Sequence, residues 1–331
     1  MEILPFFATE FLGQPVMAWA IFFAIIVTLL ALDLGVINRG DHEIGIRQSL
    51  VFSAFYIGVA LLFGAWVWYD LGPGSGMDYL TAFVVEKSLA LDNIFVISLI
   101  FTAFAIPRAY QHRVLFWGIL GVVVLRAIMI GLGATLIANF SWILYVFGAF
   151  LVITGVRMLF VGDMSHEEGE NRIVRLVRRF IPVSKALHGH HFFVREEHPG
   201  TGRSVLVATP LFLALISIEI ADIVFAVDSV PAVFAITTDP YIVYTSNIFA
   251  ILGLRALYFA LAAAVHRFHY LKYALALVLI VVGAKIFWSH LVGPVDSVVS
   301  LTLTLGLLAG GIIISLWRTR DEEPGAKHGT G

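Results

Sequence analysis

The chain has 331 residues, of which 60% are hydrophobic and 13% charged, with a formal net charge of −2. Mean hydropathy is +0.92. Soluble domains carry about 45–50% apolar and about 25% charged residues, so an ordinary soluble fold and a disordered chain are both excluded. The charge balance offers no basic footprint for nucleic acid. The absence of cysteine removes disulfides, thiolate metal sites, iron–sulfur ligation and thiol chemistry. What remains is a polytopic membrane protein whose metal ligands, if any, are oxygen or imidazole.

Nine apolar windows follow in chain order: about 16–38, 48–69, 79–106, 113–136, 140–162, 204–236, 241–265, 271–290 and 296–317. Each reaches the ~20 residues that a spanning helix needs, and 79–106 and 204–236 are longer than a crossing needs. The runs are continuous rather than alternating, so helices are expected and not a barrel. The expected fold is all-α, a single transmembrane domain over residues 1–317 with a disordered tail at 318–331. No Lys or Arg precedes the first run. A cleaved signal peptide begins with a basic region, so this run is expected to be a retained span.

Lys and Arg fall on alternate loops. Arg39 and Arg47 follow span 1, and Arg108 and Arg113 follow span 3. Seven bases lie in the long loop 163–203, Arg267 and Lys272 follow span 7, and Arg318, Arg320 and Lys327 follow span 9. The opposite loops have none. This alternation predicts the N-terminus outside and the C-terminus in the cytoplasm. The loop 163–203 is rich in histidine, and its segment Asn171 to Phe180 is patterned as a basic amphipathic helix at the inner leaflet. Trp66, Trp68 and Tyr69 are expected as interfacial anchors, and His290 as an interfacial polar residue. Gly118, Gly121, Gly131 and Gly133 in span 4 are expected at close helix contacts.

Spans 3 and 6 resemble each other. An offset of 130 residues aligns Asp92 with Asp222, Phe95 with Phe225 and Phe104-Ala105-Ile106 with Phe234-Ala235-Ile236. Leu125-Arg126-Ala127 then meets Leu254-Arg255-Ala256 after a one-residue gap. Spans three crossings apart run in opposite directions, so the pattern predicts an inverted-topology repeat, spans 3–5 against 6–8.

Six acids lie within spans: Asp33, Glu86, Asp92, Glu219, Asp222 and Asp228. The bases there are Lys87, Arg126, Arg157, Arg255 and Lys285, of which Arg157 lies near a span end and can snorkel. A charge at a helix centre costs at least about 2.5–3.5 kcal/mol, so these residues must face the bundle interior and find partners. Internal ion pairing, with Arg126 and Arg255 neutralising Asp92 and Asp222, is one reading. The acids outnumber the deep bases, and that surplus favours a bound cation or retained protons. Asn93, Asn247 and Ser229 add neutral oxygens, a set suited to Mg²⁺, Ca²⁺ or Mn²⁺. Glu219 and Asp222 share a helix face, whereas Asp228 lies about 180° from Glu219 on a straight helix. Spans 3 and 6 are therefore expected to be tilted or broken, with Pro210 and Pro231 as break points.

The stretches FVVEKSLALDNIFVISLIF (83–101), EHPGTGRSVLVATPLFLALISIEIADIVFAVDSVPAVFAITTDP (197–240) and YIVYTSNIFAILGLRALYF (241–259) resemble the TerC family of integral membrane proteins, in its Alx-like branch. The resemblance implies export of Mn²⁺ as a transported substrate across a bacterial inner membrane. It implies a metal path through Glu86, Asp92, Asn93, Glu219, Asp222, Asp228 and Asn247, with Asp33, Arg126 and Arg255 as supporting charges. The expected partners are the lipid bilayer, a divalent metal ion and protons as coupling ion, with a homo-oligomer compatible and no nucleic acid. No resident cofactor is expected. No nucleophile triad, P-loop or dinucleotide fingerprint is present, so the chain is read as a carrier and not an enzyme. His188, His190 and His191 are candidates for sampling metal in the loop. A membrane scaffold for a metal-resistance complex, or for maturation of exported proteins, is the alternative.

Overall fold

The computed structural model describes residues 9–32, 46–160, 184, 187–197, 204–261, 271–293 and 295–321. Ten helices dominate it: α1 (Val16–Leu32), α2 (Ile46–Leu71), α3 (Pro73–Ala103), α4 (Arg108–Asn139), α5 (Ile143–Phe160), α6 (Pro210–Ile236), α7 (Pro240–Leu252), α8 (Leu254–Leu261), α9 (Leu271–Leu291) and α10 (Ser297–Asp321). The all-α membrane fold class is thus what the chain adopts. Short strands β1 (Glu10–Phe11) and β2 (Gln14–Pro15) pair, as do β3 (Phe193–Glu197) and β4 (Ser204–Ala208), both antiparallel.

Among the described residues, seven helical stretches are long and apolar enough to cross a membrane, with α7 and α8 counted together. Helix α1 is described over only 17 residues. Helix α3 has 31 residues, but its sequence includes Asp78, Glu86, Lys87 and Asp92. The helix richest in charge is therefore the one that least resembles an ordinary span.

Sequence chemistry sets several boundaries. Proline opens α3, α6 and α7 at the first helical turn, where its missing N–H is not needed. Asp239 caps α7 by accepting from the amides of Tyr241 (2.8 Å) and Ile242 (3.4 Å). Gly72, at φ 94°, makes the turn from α2 into α3, a backbone conformation that favours glycine.

Two expectations about helix continuity are corrected. Residues 204–208 belong to β4, so α6 starts at Pro210 rather than at the expected 204. Pro210 marks a start and not a break. Helix α6 then runs on through Pro231, and α3 is also unbroken. The interruption lies instead at Gly253, between α7 and α8. The amphipathic segment Asn171–Phe180 lies outside the described residues.

The buried apolar residues form two clusters. The first includes Trp19, Phe22, Phe63, Tyr79, Phe83, Tyr241 and Phe249, with Trp66 packed against it. Trp66 thus turns inward, its ring 5.2 Å from that of Phe63, whereas Tyr69 is exposed. The second includes Ile94, Phe101, Leu115, Leu211, Ile218 and Tyr258. Along α3 the first cluster ends at Val85 and the second starts at Ala90; along α6 the second ends at Ala221 and the first starts at Ala226. A polar layer separates them.

Candidate functional site

That layer is assembled from α3, α4, α6 and α7. Helix α3 contributes Glu86 and Asn93, seven residues apart and hence on one face; α6 contributes Asp222 and Ser229 at the same spacing. Arg126 of α4, 1% exposed, occupies the middle. Its Nε and Nη2 donate to the two oxygens of Asp222 at 3.1 and 3.0 Å, a bidentate pair. Its Nη1 donates to Glu86 Oε1, to Ser229 Oγ at 2.8 Å and to Asn247 Oδ1 at 3.3 Å. Asn93 Nδ2 donates to Asp222 Oδ1 at 3.5 Å.

The network leaves unmet polar capacity. Glu86 Oε2 and Asn247 Nδ2 are buried without a hydrogen-bond partner, and so is Oε2 of Glu219. Glu219 lies one turn before Asp222 on α6, and its carboxylate rests where a Cβ on Gly121 of α4 would be. Gly121 is therefore a notch for a carboxylate. Gly133 likewise accommodates the Phe234 ring, Gly118 makes ordinary contact with Ile218, and Gly131 faces open space. Three of the four glycines of span 4 thus meet a neighbour.

A cavity of about 30 Å³ adjoins Asp222, with Asn93, Gly118, Ile218, Arg255 and Tyr258 in its wall. A volume of this order admits water-sized species. Arg255 of α8 is buried at this wall. The cavity lies on the side of the polar layer occupied by the second apolar cluster, while the aromatic first cluster packs the other side.

The expected residues are thus partly brought together. Glu86, Asn93, Arg126, Asp222 and Asn247 converge with Ser229, and Glu219 and Arg255 stand beside them. Asp92 and Asp228 lie in α3 and α6, but their side chains are outside the description; Asp33 lies outside the described residues altogether. Among the described residues, no three His, Asp or Glu side chains are grouped to hold one metal ion. Arg126 pairs with Asp222 across the two aligned sequence stretches, one of the ion pairs that internal neutralisation of Asp92 and Asp222 by Arg126 and Arg255 allows.

In the loop, His188 Nε2 contacts Glu196 Oε1 at 3.1 Å and Ser184 Oγ at 3.2 Å. His190 and His191 are exposed, with ring centroids 4.6 Å apart. His290 bonds the Tyr145 hydroxyl through Nδ1 at 2.8 Å. Sequence reasoning missed what Lys87 does: its Nζ donates to Ala250 O at 3.0 Å. It also missed the match of Asp78 to Ser297, whose hydroxyl donates to Oδ1 at 2.8 Å. Charge within an apolar run flags Lys87, whereas Asp78 lies just before the expected span 79–106; pattern alone carries no partner for either.

A multi-helix membrane protein with a charged layer inside its bundle is the class that fold and site define. The model of the integral membrane protein TerC family matches residues 71–323, and the chain belongs to that family. An uncharacterised membrane protein of Rickettsia bellii is 49% identical over 302 residues, covering 91% of this chain and 98% of that protein. One from Myxococcus xanthus is also 49% identical, covering 91% and 92%. The Escherichia coli K12 relative is 42% identical over 92% of this chain and 95% of its own length, and is provisionally named a membrane-bound redox modulator, Alx. No solved structure matches the chain.

Proposed function

We propose that the protein is a secondary transporter that exports divalent metal cations, foremost Mn²⁺, across a bacterial inner membrane. The observation that carries this reading is the polar layer: two buried carboxylates, Glu86 and Asp222, share the single guanidinium of Arg126 beside a cavity. Among the described residues, Glu86, Asp222 and Glu219 one turn away are three acids against Arg126 and Arg255 of the cavity wall, a surplus of one acid. Oxygen-only ligands suit Mn²⁺, Mg²⁺ and Ca²⁺, and the TerC resemblance favours manganese. In this reading the cargo enters through the cavity and takes the carboxylates from Arg126, which otherwise serves as their resident cation. Asp92 and Asp228 would join the path, and protons would return in exchange. The basic loops support an N-terminus outside and a C-terminus in the cytoplasm.

The name of the Escherichia coli relative favours a second reading, a redox-linked scaffold. With no cysteine, this chain brings no thiol to such a role. Purified protein in liposomes separates the two. Mn²⁺ flux that Asp222→Asn abolishes, with the variant still inserted and monodisperse, supports the carrier. No flux of any divalent ion by the wild type overturns it and leaves the scaffold.

A further inference from the structure

Lys87 follows Glu86 directly on α3, but the two side chains serve different neighbours. Glu86 faces Arg126, whereas Lys87 reaches the last turn of α7. Every residue from Tyr241 to Leu252 of α7 is buried. The last four carbonyls of a helix have no partner within it, and in a membrane interior each needs one. In a continuous helix the Ala250 carbonyl would accept from the amide of Leu254. Here it accepts from Lys87 Nζ at 3.0 Å, and the helix is interrupted at Gly253. A side chain inserted into the carbonyl ladder is a known cause of such interruptions. A Cβ on Gly253 would come within 2.6 Å of Nζ and 3.3 Å of Tyr56 Cβ, so glycine leaves room for the ammonium.

Positive charge suits this position, because the C-terminal end of a helix carries partial negative charge. In transporters with interrupted helices, freed carbonyls of this kind coordinate a monovalent metal ion. We propose that the Lys87 ammonium is a tethered occupant of a monovalent-cation position at the α7–α8 interruption, which therefore needs no sodium or potassium ion. Asn247, which accepts from Arg126, lies one turn before Ala250 on α7. The tethered cation thus holds the same helix that supplies the charged layer. The position stands on geometry alone; its consequence, that metal flux is independent of sodium, rests on the transport reading above.

Removing the tether tests the position. Full-length protein in detergent is unfolded thermally in NaCl, KCl or N-methylglucamine chloride at equal ionic strength. Wild type and Lys87→Arg are expected to melt at one temperature in all three salts. Lys87→Ala is expected to melt lower in N-methylglucamine and to regain roughly 3 °C or more, saturably, in an alkali-metal salt. A folded Lys87→Ala that melts alike in all three salts overturns the proposal, and so does a wild type stabilised by sodium. If Lys87→Ala does not survive extraction, Gly253→Ala, which pushes Nζ off the carbonyl, is compared in the same way. The readout needs no transport, so it stands even if the chain moves no metal. In liposomes, Mn²⁺ flux is expected to be equal in NaCl and N-methylglucamine chloride.

Discussion

Arg126 concentrates the energetics of the polar layer in one side chain. It is 1% exposed and bonds groups from α3, α6 and α7. A guanidinium is suited to this because its planar fork matches a carboxylate with two parallel bonds and does not lose its proton. Breaking a buried pair by removing one partner costs about 3–5 kcal/mol, mostly because the remaining charge is stranded. Arg126→Met strands two carboxylates and is expected to lower detergent stability by about that amount. Glu86→Gln/Arg126→Met/Asp222→Asn leaves no stranded charge and is expected to recover most of the loss. Thermal unfolding of the single, double and triple variants measures the coupling. Equal destabilisation of the single and triple variants would show that Arg126 acts by packing rather than by charge. That Arg126 needed an acidic partner was legible in the sequence, because a mid-span arginine cannot stand alone in lipid. Which acid was not legible. Asp222 is 96 positions away and Glu86 is 40, and helical periodicity gives only the face a residue lies on, not the helix it meets.

The helices show where pattern reading succeeds and where it fails. Long apolar runs located the seven described helical stretches that can cross a membrane, because lipid demands such runs. The proline signals at Pro210 and Pro231 misled. Pro210 is a helix start, where the ring suits the first turn, and α6 continues through Pro231, as membrane helices can when neighbours satisfy the freed groups. The true interruption at Gly253 depends on Lys87 from another helix, which no local pattern records. The glycines of α4 signal close packing, yet among the described residues the tightest approach of a glycine to backbone joins α5 to α9. A Cβ on Gly155 would come within 2.6 Å of Ala276 O, and one on Gly283 within 2.7 Å of Gly148 O. Both neighbours are backbone atoms that cannot step aside. Gly155→Ala and Gly283→Ala are therefore each expected to cost about 1–3 kcal/mol from overpacking. Gly131→Ala meets nothing within 4 Å and gains helix propensity, so it is expected to be neutral or slightly stabilising. Melting temperatures of the three variants in one detergent check the ranking, and an unfavourable Gly131→Ala would contradict it.

At the scale of the whole molecule, the charged layer is packed unequally on its two sides. Tyr79, Tyr241, Phe63 and Phe249 are buried on one side, with Phe63 and Phe249 rings 4.8 Å apart, whereas the cavity opens on the other. For the carrier proposed above, this asymmetry would correspond to a state closed outward and ready to load from the side of the basic loops. The cysteine-free sequence makes the idea directly measurable, since each introduced thiol has no background. Ile97→Cys and Leu115→Cys line the cavity. His190→Cys and Tyr69→Cys sit at exposed positions, the first in the basic loop and the second at the end of α2. Phe63→Cys lies in the aromatic cluster. In inside-out vesicles, a small charged thiol reagent is expected to modify His190→Cys quickly and the cavity thiols more slowly. In right-side-out vesicles it should modify Tyr69→Cys alone. Mn²⁺ should slow modification of the cavity thiols without affecting His190→Cys, because only the former share a wall with Asp222. Modification of Phe63→Cys from the outside at the rate of Tyr69→Cys would show that the aromatic side is open. Reversal of the His190→Cys and Tyr69→Cys results would overturn the orientation drawn from the lysines and arginines.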